Sequence, residues 1–206
     1  MKTSQRFLHV TIAIIVLLLL ATLPSCSQRA MEGAGRGAAT GAAAGAVGGM
    51  VSALVFGGNV GEAAARGAVW GGSSGATAGA ISGAVADSNE KKAQQAAKIE
   101  ELRKELGDDA FQGLSALAEC KHEVALGYGR TAAASDNPDY ALAGLWLQAL
   151  TYADNHQDDQ ATALLPELVA NDDKLSSESQ AQSKLQDALK MLKDIRREYN
   201  LPQTCS

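Results

Sequence analysis

The 206-residue chain carries a formal charge of −5, and 46% of its residues are hydrophobic but only 4% aromatic. Much of the apolar fraction is alanine, which argues against one large core built on big side chains. A net-negative surface repels phosphate backbones and anionic headgroups, so nucleic-acid binding is set aside.

Lys2 and Arg6 precede an almost unbroken apolar run from Val10 to Ala21, followed by Leu23-Pro24-Ser25-Cys26. This order reads as an export signal. The run is short for a membrane span of about 20 residues, and no A-x-A-like cleavage site precedes Cys26. Leu23, Ser25 and Cys26 resemble the lipobox of bacterial lipoproteins, from which Pro24 departs. The resemblance implies a signal peptide over residues 1–25, lipid on Cys26 and a short tether over residues 26–32. Loss of Lys2 and Arg6 with the signal takes the charge from −5 to −7.

Sixteen of the 21 glycines fall between Gly33 and Gly83. One series runs Gly33, Gly37, Gly41, Gly45, Gly49, with Ala53 in the next slot, and a second runs Gly67, Gly71, Gly75, Gly79, Gly83. A spacing of four sets these residues on one side of a helix and leaves a groove where another backbone can approach. In water each interior glycine costs about 1 kcal/mol relative to alanine, whereas in a membrane small residues let spanning helices pack closely. No charge lies between Arg36 and Glu62 or between Arg66 and Asp87. The second gap is 20 residues, which as a helix spans about 30 Å, one hydrocarbon core. Gly57-Gly58-Asn59-Val60-Gly61 is turn chemistry. Residues 33–86 are therefore expected to form a membrane hairpin, with Arg36 and Asp87 at its base and a Glu62–Arg66 pair near its turn. Phe56 and Trp70 fall in its aromatic belt. A soluble helical pair pressed against a protein partner stays open as an alternative. A flexible Gly/Ala linker has no reason to keep a spacing of four.

The pattern Gly-x-x-x-Gly-x-x-x-Gly in both halves, just after the anchor cysteine, looks like the glycine-zipper, two-transmembrane segments of bacterial outer-membrane lipoproteins. That resemblance implies membrane association, packing with a second copy or an envelope protein, a role in envelope structure, and no catalysis. Ser27, where retention signals carry aspartate, implies an outer-membrane location with the remaining domain in the periplasm.

From Asp87 the composition switches: residues 87–206 hold 21 acidic and 13 basic side chains. Residues 87–110 read as a charged amphipathic spacer helix, solvated apart from a stripe of Ile99, Leu102 and Leu106. Residues 111–206 read as an acidic helical domain. Its first helix is expected to continue from Ala110 to Arg130, with a break at Ser135-Asp136-Asn137-Pro138. A hydrophobic helix follows over Tyr140 to Tyr152, then a short one to about Ala170. The last helix is capped by Ser177 with Gln180 and ends before Pro202. Leu145, Ala149, Tyr152, Ala161 and Leu165 sit at spacings resembling one tetratricopeptide unit, without its tryptophan slot. A generic helical bundle is the other reading. The Trp146–Tyr152 face is thus either a partner-binding surface or part of a packed core.

The fold class is all-α, a glycine-zipper hairpin plus a small helical domain. Catalytic, cofactor, metal and small-molecule sites are not expected. Outside the signal the histidines are His122 and His156, and neither sits in a metal-ligand spacing. Cys120 and His122, two apart on one expected helix, face different ways. With Cys26 lipidated, Cys120 and Cys205 are a candidate disulfide in an oxidising compartment, or two unrelated thiols. The function expected is structural or assembly work in the envelope. The rival readings are an oligomeric pore or membrane-perturbing element, and a lipid-tethered tetratricopeptide-like adaptor.

Overall fold

The computed structural model describes the backbone of residues 28–79 and 86–205 and the side chains of residues 39–71 and 93–205. Cys26 and Gly83 lie outside the described residues, as do the side chains of Arg36 and Asp87. Among the described residues the structure is all helix, without strands.

Helix α1 spans Gln28–Phe56 and α2 spans Val60–Gly79. Between them Gly57 and Gly58 take φ of 86° and 124°, angles open to glycine and strained for other residues. Asn59 then caps α2 by accepting the Glu62 amide through Oδ1 at 3.0 Å. The expected Glu62–Arg66 pair forms at 3.8 Å; both side chains are exposed, so it adds at most about 0.5 kcal/mol.

The remaining helices are α3 (Ala86–Leu106), α4 (Asp108–Ala118), α5 (His122–Ala133), α6 (Pro138–Asp154), α7 (Asp158–Ala163), α8 (Leu165–Asn171) and α9 (Glu178–Glu198). They pack around α1, which touches α3, α4, α6 and α9 as well as α2. Val47, Met50, Val51 and Leu54 of α1 share one core with Leu102, Leu106, Leu114, Trp146, Leu150 and Leu192. A stretch of helix that is apolar on every side is one buried on every side, and residues 42–51 of α1 are the middle of the bundle.

This packing changes the reading of α3. Its stripe of Ile99, Leu102 and Leu106 is buried, so α3 is a wall of the bundle instead of a solvated spacer. Leu102 and Phe111 lie 3.0 and 3.4 Å from where a Cβ on Gly48 would stand. Gly48, outside both series of four, thus makes room for α3 and α4. The chain turns at Gly107, whose φ is 84°, and the Tyr140 hydroxyl donates to the Lys104 carbonyl at 2.8 Å, tying the end of α3 to α6.

The expected continuous helix from Ala110 to Arg130 is two helices. Residues Glu119 to Lys121 reverse the chain: the Cys120 amide bonds the Leu117 carbonyl at 3.1 Å and the Lys121 amide bonds that of Ala116 at 2.9 Å. This is a Schellman ending with Cys120 at φ 61° in the slot glycine usually fills. Two more helices end this way, at His156 (φ 57°) and Asn200 (φ 56°). The expected helix to Ala170 is also divided, into α7 and α8, because Pro166 stands at the start of α8 and has no amide to carry the bonding through. Ala149 and Ala161 are buried where α6 meets α7, but the second helix of a repeat unit is broken here.

Other local readings hold. Asn137 caps α6, accepting the Asp139 amide at 2.9 Å, with Pro138 at the first helical position. Ser177 caps α9 by accepting the Gln180 amide at 3.3 Å. The Gln180 side chain returns the bond one residue early, to the Ser176 amide at 2.8 Å.

Gly127 offers a control for every glycine argument below. It lies inside α5 with nothing within 4 Å of an added Cβ. Gly127→Ala should raise stability by about 0.4–1 kcal/mol, read as an upward shift of the urea midpoint. A loss would mean that α5 is not packed as described.

Candidate functional site

Two constructions stand out. The first is the α1–α2 interface. A Cβ on Gly45 would lie 2.1 Å from the Gly67 carbonyl oxygen, and one on Gly67 would lie 2.0 Å from that of Gly45. The same holds for Gly49 against Ala63 at 2.1 Å and Gly71 against Gly41 at 2.0 Å. These obstacles are backbone atoms and cannot rotate away, so the two helices meet main chain to main chain. Gly41, Gly45, Gly49, Gly67 and Gly71 are thus brought together as their spacing implied. Gly33 and Gly37 lie on α1 and Gly75 and Gly79 on α2, beyond the described side chains. A second close crossing, which the spacing of four does not mark, joins α5 to α6. There a Cβ on Gly144 would meet the Ala133 amide nitrogen at 2.3 Å and the Gly129 carbonyl oxygen at 2.7 Å.

Trp146 is fully buried and Tyr152 is partly buried against the same core. Of the two readings of that face, the packed core is the one found. Trp146 offers no surface to a partner.

The second construction is a buried ionic cluster where α4, α5, α6 and α9 converge. Arg196 of α9 is 1% exposed. It donates to both carboxylate oxygens of Asp154 at 2.7 Å, and to the carbonyls of Leu117 at 2.5 Å and Ala118 at 3.2 Å. Those carbonyls belong to the last turn of α4, where the helix dipole favours a cation, and the Leu117 carbonyl accepts from Arg196 as well as from the Cys120 amide. One guanidinium therefore caps a helix and neutralises a carboxylate, the planar two-pronged geometry that suits arginine over lysine.

His122 completes the cluster, with Nε2 2.7 Å from Asp154 Oδ2. Burial by itself would push the Asp154 carboxyl up. Hydrogen bonds from Arg196 and His122, then the charges of both, outweigh it and hold the pKa below the ordinary 3.8. Cys120 and Cys205 are joined as a disulfide with 5.2 Å between Cα atoms, and Cys205 Sγ lies 3.6 Å from Asp154 Oδ2. Of the two open readings of these cysteines, the bonded pair is the one found. The link closes the C-terminal tail over the cluster.

Sequence reading missed Asp154 and Arg196 and separated Cys120 from His122. The left-handed turn at Cys120 accounts for the latter: His122 opens a new helix, so the helical rule for residues two apart does not apply. A lone arginine on the apolar side of α9, beside Leu192 and Ile195, was the available signal. His156 belongs to the turn after α6 and lies outside the cluster. Among the described residues, His122, Asp154 and Cys205 form a group with mutually close ligand atoms. No protein family, curated protein or solved structure matches this chain in comparisons with known proteins.

Proposed function

We infer that this chain is an envelope lipoprotein with a structural or assembly role, held to the outer membrane by lipid on Cys26 and displaying a helical domain in the periplasm. The observation that carries this reading is the main-chain contact of Gly41, Gly45, Gly49, Gly67 and Gly71, whose pattern runs on through Gly37 and Gly33 towards Cys26. The half of the glycine pair nearest its turn serves as the core of the helical domain. In this reading the part of the series nearest the lipid, Gly33 and Gly37, packs with a second copy, an envelope protein or the bilayer surface. No substrate or cofactor enters this role.

A second reading has one observation in its favour. Ala39–Phe56 is 18 residues with mean hydropathy 1.6, long and apolar enough to cross a membrane, although 72% of it is buried within the fold. In that reading the pair leaves the bundle and inserts, as an integral hairpin or a pore.

Exchange of the lipoprotein signal for an ordinary cleavable one, leaving residues 27–206 without lipid, separates the two. Release into the soluble fraction after a high-pH wash is expected if lipid alone holds the protein. Retention would reject the docked reading, and bilayer conductance would then distinguish an anchor from a pore.

A further inference from the structure

The disulfide-capped cluster holds more chemistry than a fold needs for stability. His122, Asp154 and Cys205 each present a ligand atom within 4.8 Å of the others, and Cys120 adds a second sulfur through its bond to Cys205. The four come from three separated parts of the chain. A cleft of about 390 Å³ reaches two of them, Cys120 and His122, and is lined further by Lys121, Glu123, Val124 and Asn155; Asp154 lies buried behind it. As a disulfide the sulfurs are poor ligands; as thiolates they are strong ones.

We propose that reduction of Cys120–Cys205 converts this cluster into a site for a divalent zinc-type cation, with the two thiolates, His122 and Asp154 as ligands. The thiolate of a dithiol reductant attacks one sulfur and breaks the Cys120–Cys205 bond. The second thiol of the reductant resolves the mixed disulfide, so the reductant leaves as its own disulfide and the protein holds two thiols. The cation then displaces both thiol protons to solvent, and with them the proton that His122 Nε2 shares with Asp154 Oδ2, leaving a neutral imidazole with its proton on Nδ1. Those two atoms, 2.7 Å apart as a hydrogen-bonded pair, part to roughly 3.3 Å to admit it.

Four features favour this site. Sulfur, imidazole and carboxylate together are the donor set that tetrahedral zinc takes. The charge closes: two thiolates and a carboxylate carry three negative charges, against a divalent cation and the Arg196 guanidinium. Metal bonds to sulfur of about 2.3 Å in a tetrahedron require the two sulfurs to part to roughly 3.8 Å. Cys205 sits on a non-helical tail beyond Pro202, where that slack lies. Arg196 donates to both Asp154 oxygens at 2.7 Å and so orients the carboxylate, as partners behind a metal ligand commonly do, while the cation takes the place of the His122 hydrogen bond on Oδ2.

The test uses the purified full-length protein. It is reduced with a phosphine, freed of reductant without air and titrated with Co2+, whose thiolate charge-transfer and visible bands report bound sulfur. Saturation at a single ion per chain, displacement by Zn2+, and no bands from the oxidised protein are expected. His122→Ala should keep the helical circular dichroism and weaken binding at least roughly tenfold. Absence of the thiolate bands on reduction overturns the proposal, as does equal affinity in His122→Ala, which would mean that two thiols alone capture the ion. A reduced chain that loses its helical signal and does not regain it with Zn2+ overturns it as well.

Discussion

Replacement of Asp154 by alanine is expected to destabilise the fold by about 3–5 kcal/mol, because it strands a buried cation. Arg196 is 1% exposed and keeps the carbonyls of Leu117 and Ala118, but neutral acceptors do not replace a carboxylate held at 2.7 Å on both sides. Set against a total stability of about 5–15 kcal/mol for a domain, this is a large share. The double variant Asp154→Leu, Arg196→Met should recover much of the loss, since an apolar pair of similar volume is often as stable as the buried ion pair it replaces. Urea denaturation of the wild type and the two variants decides the matter. If the double variant is as unstable as Asp154→Ala, the cluster works through packing and not through charge.

The same carboxylate sets a pH dependence. Its pKa in the folded state lies below the ordinary 3.8, so the unfolded chain binds the proton more readily. The stabilisation is complete above the unfolded value and is lost as pH falls through the folded value. The melting temperatures of the wild type and Asp154→Asn should therefore differ most near neutral pH and converge as pH falls below the ordinary carboxylate range. A gap that widens on acidification would contradict the sign.

Gly49→Leu is the second large effect, a loss of at least about 3 kcal/mol. An added Cβ would stand 2.1 Å from the Ala63 carbonyl oxygen, and the rest of the side chain would have to fit where a helix backbone runs. The helices can only separate, and in separating they pull Val47, Met50 and Leu54 out of the shared core. Side chains of that size contribute about 1.5–3 kcal/mol each when fully buried. Loss of cooperative unfolding or a strongly lowered urea midpoint is expected. A change within about 1 kcal/mol would mean that α1 and α2 are not held main chain to main chain.

The elements that sequence marked well are those governed by short-range chemistry. Asn137-Pro138 before α6, Ser177 before α9 and the glycine turn after Phe56 each satisfy backbone groups within a few residues, so their residue types alone place them. The left-handed ending at Cys120 was not legible, because glycine usually fills that slot and only tertiary contacts reveal an exception; the break at Asp154-Asn155-His156 was read, though not its left-handed turn. At Cys120 the disulfide and the Arg196 bonds to the end of α4 supply what the residue type does not.

The glycine spacing marked, without any coordinates, a helix face open to close backbone approach, and among the described residues Gly41, Gly45, Gly49, Gly67 and Gly71 lie in such a contact. Spacing of four is a property of one helix face, and backbone contact needs no side chain from the partner. What surrounds that contact was decided by the tertiary structure. An apolar helix of this length satisfies a bilayer and a protein interior alike, since both reward the removal of apolar surface from water. Only the positions of Leu102, Phe111, Trp146 and Leu192 show α1 enclosed by its own chain. The cluster of His122, Asp154 and Arg196 likewise depends on helices far apart in sequence meeting at one point. No local pattern encodes such a meeting, because the charge is stabilised only after the core has closed around it.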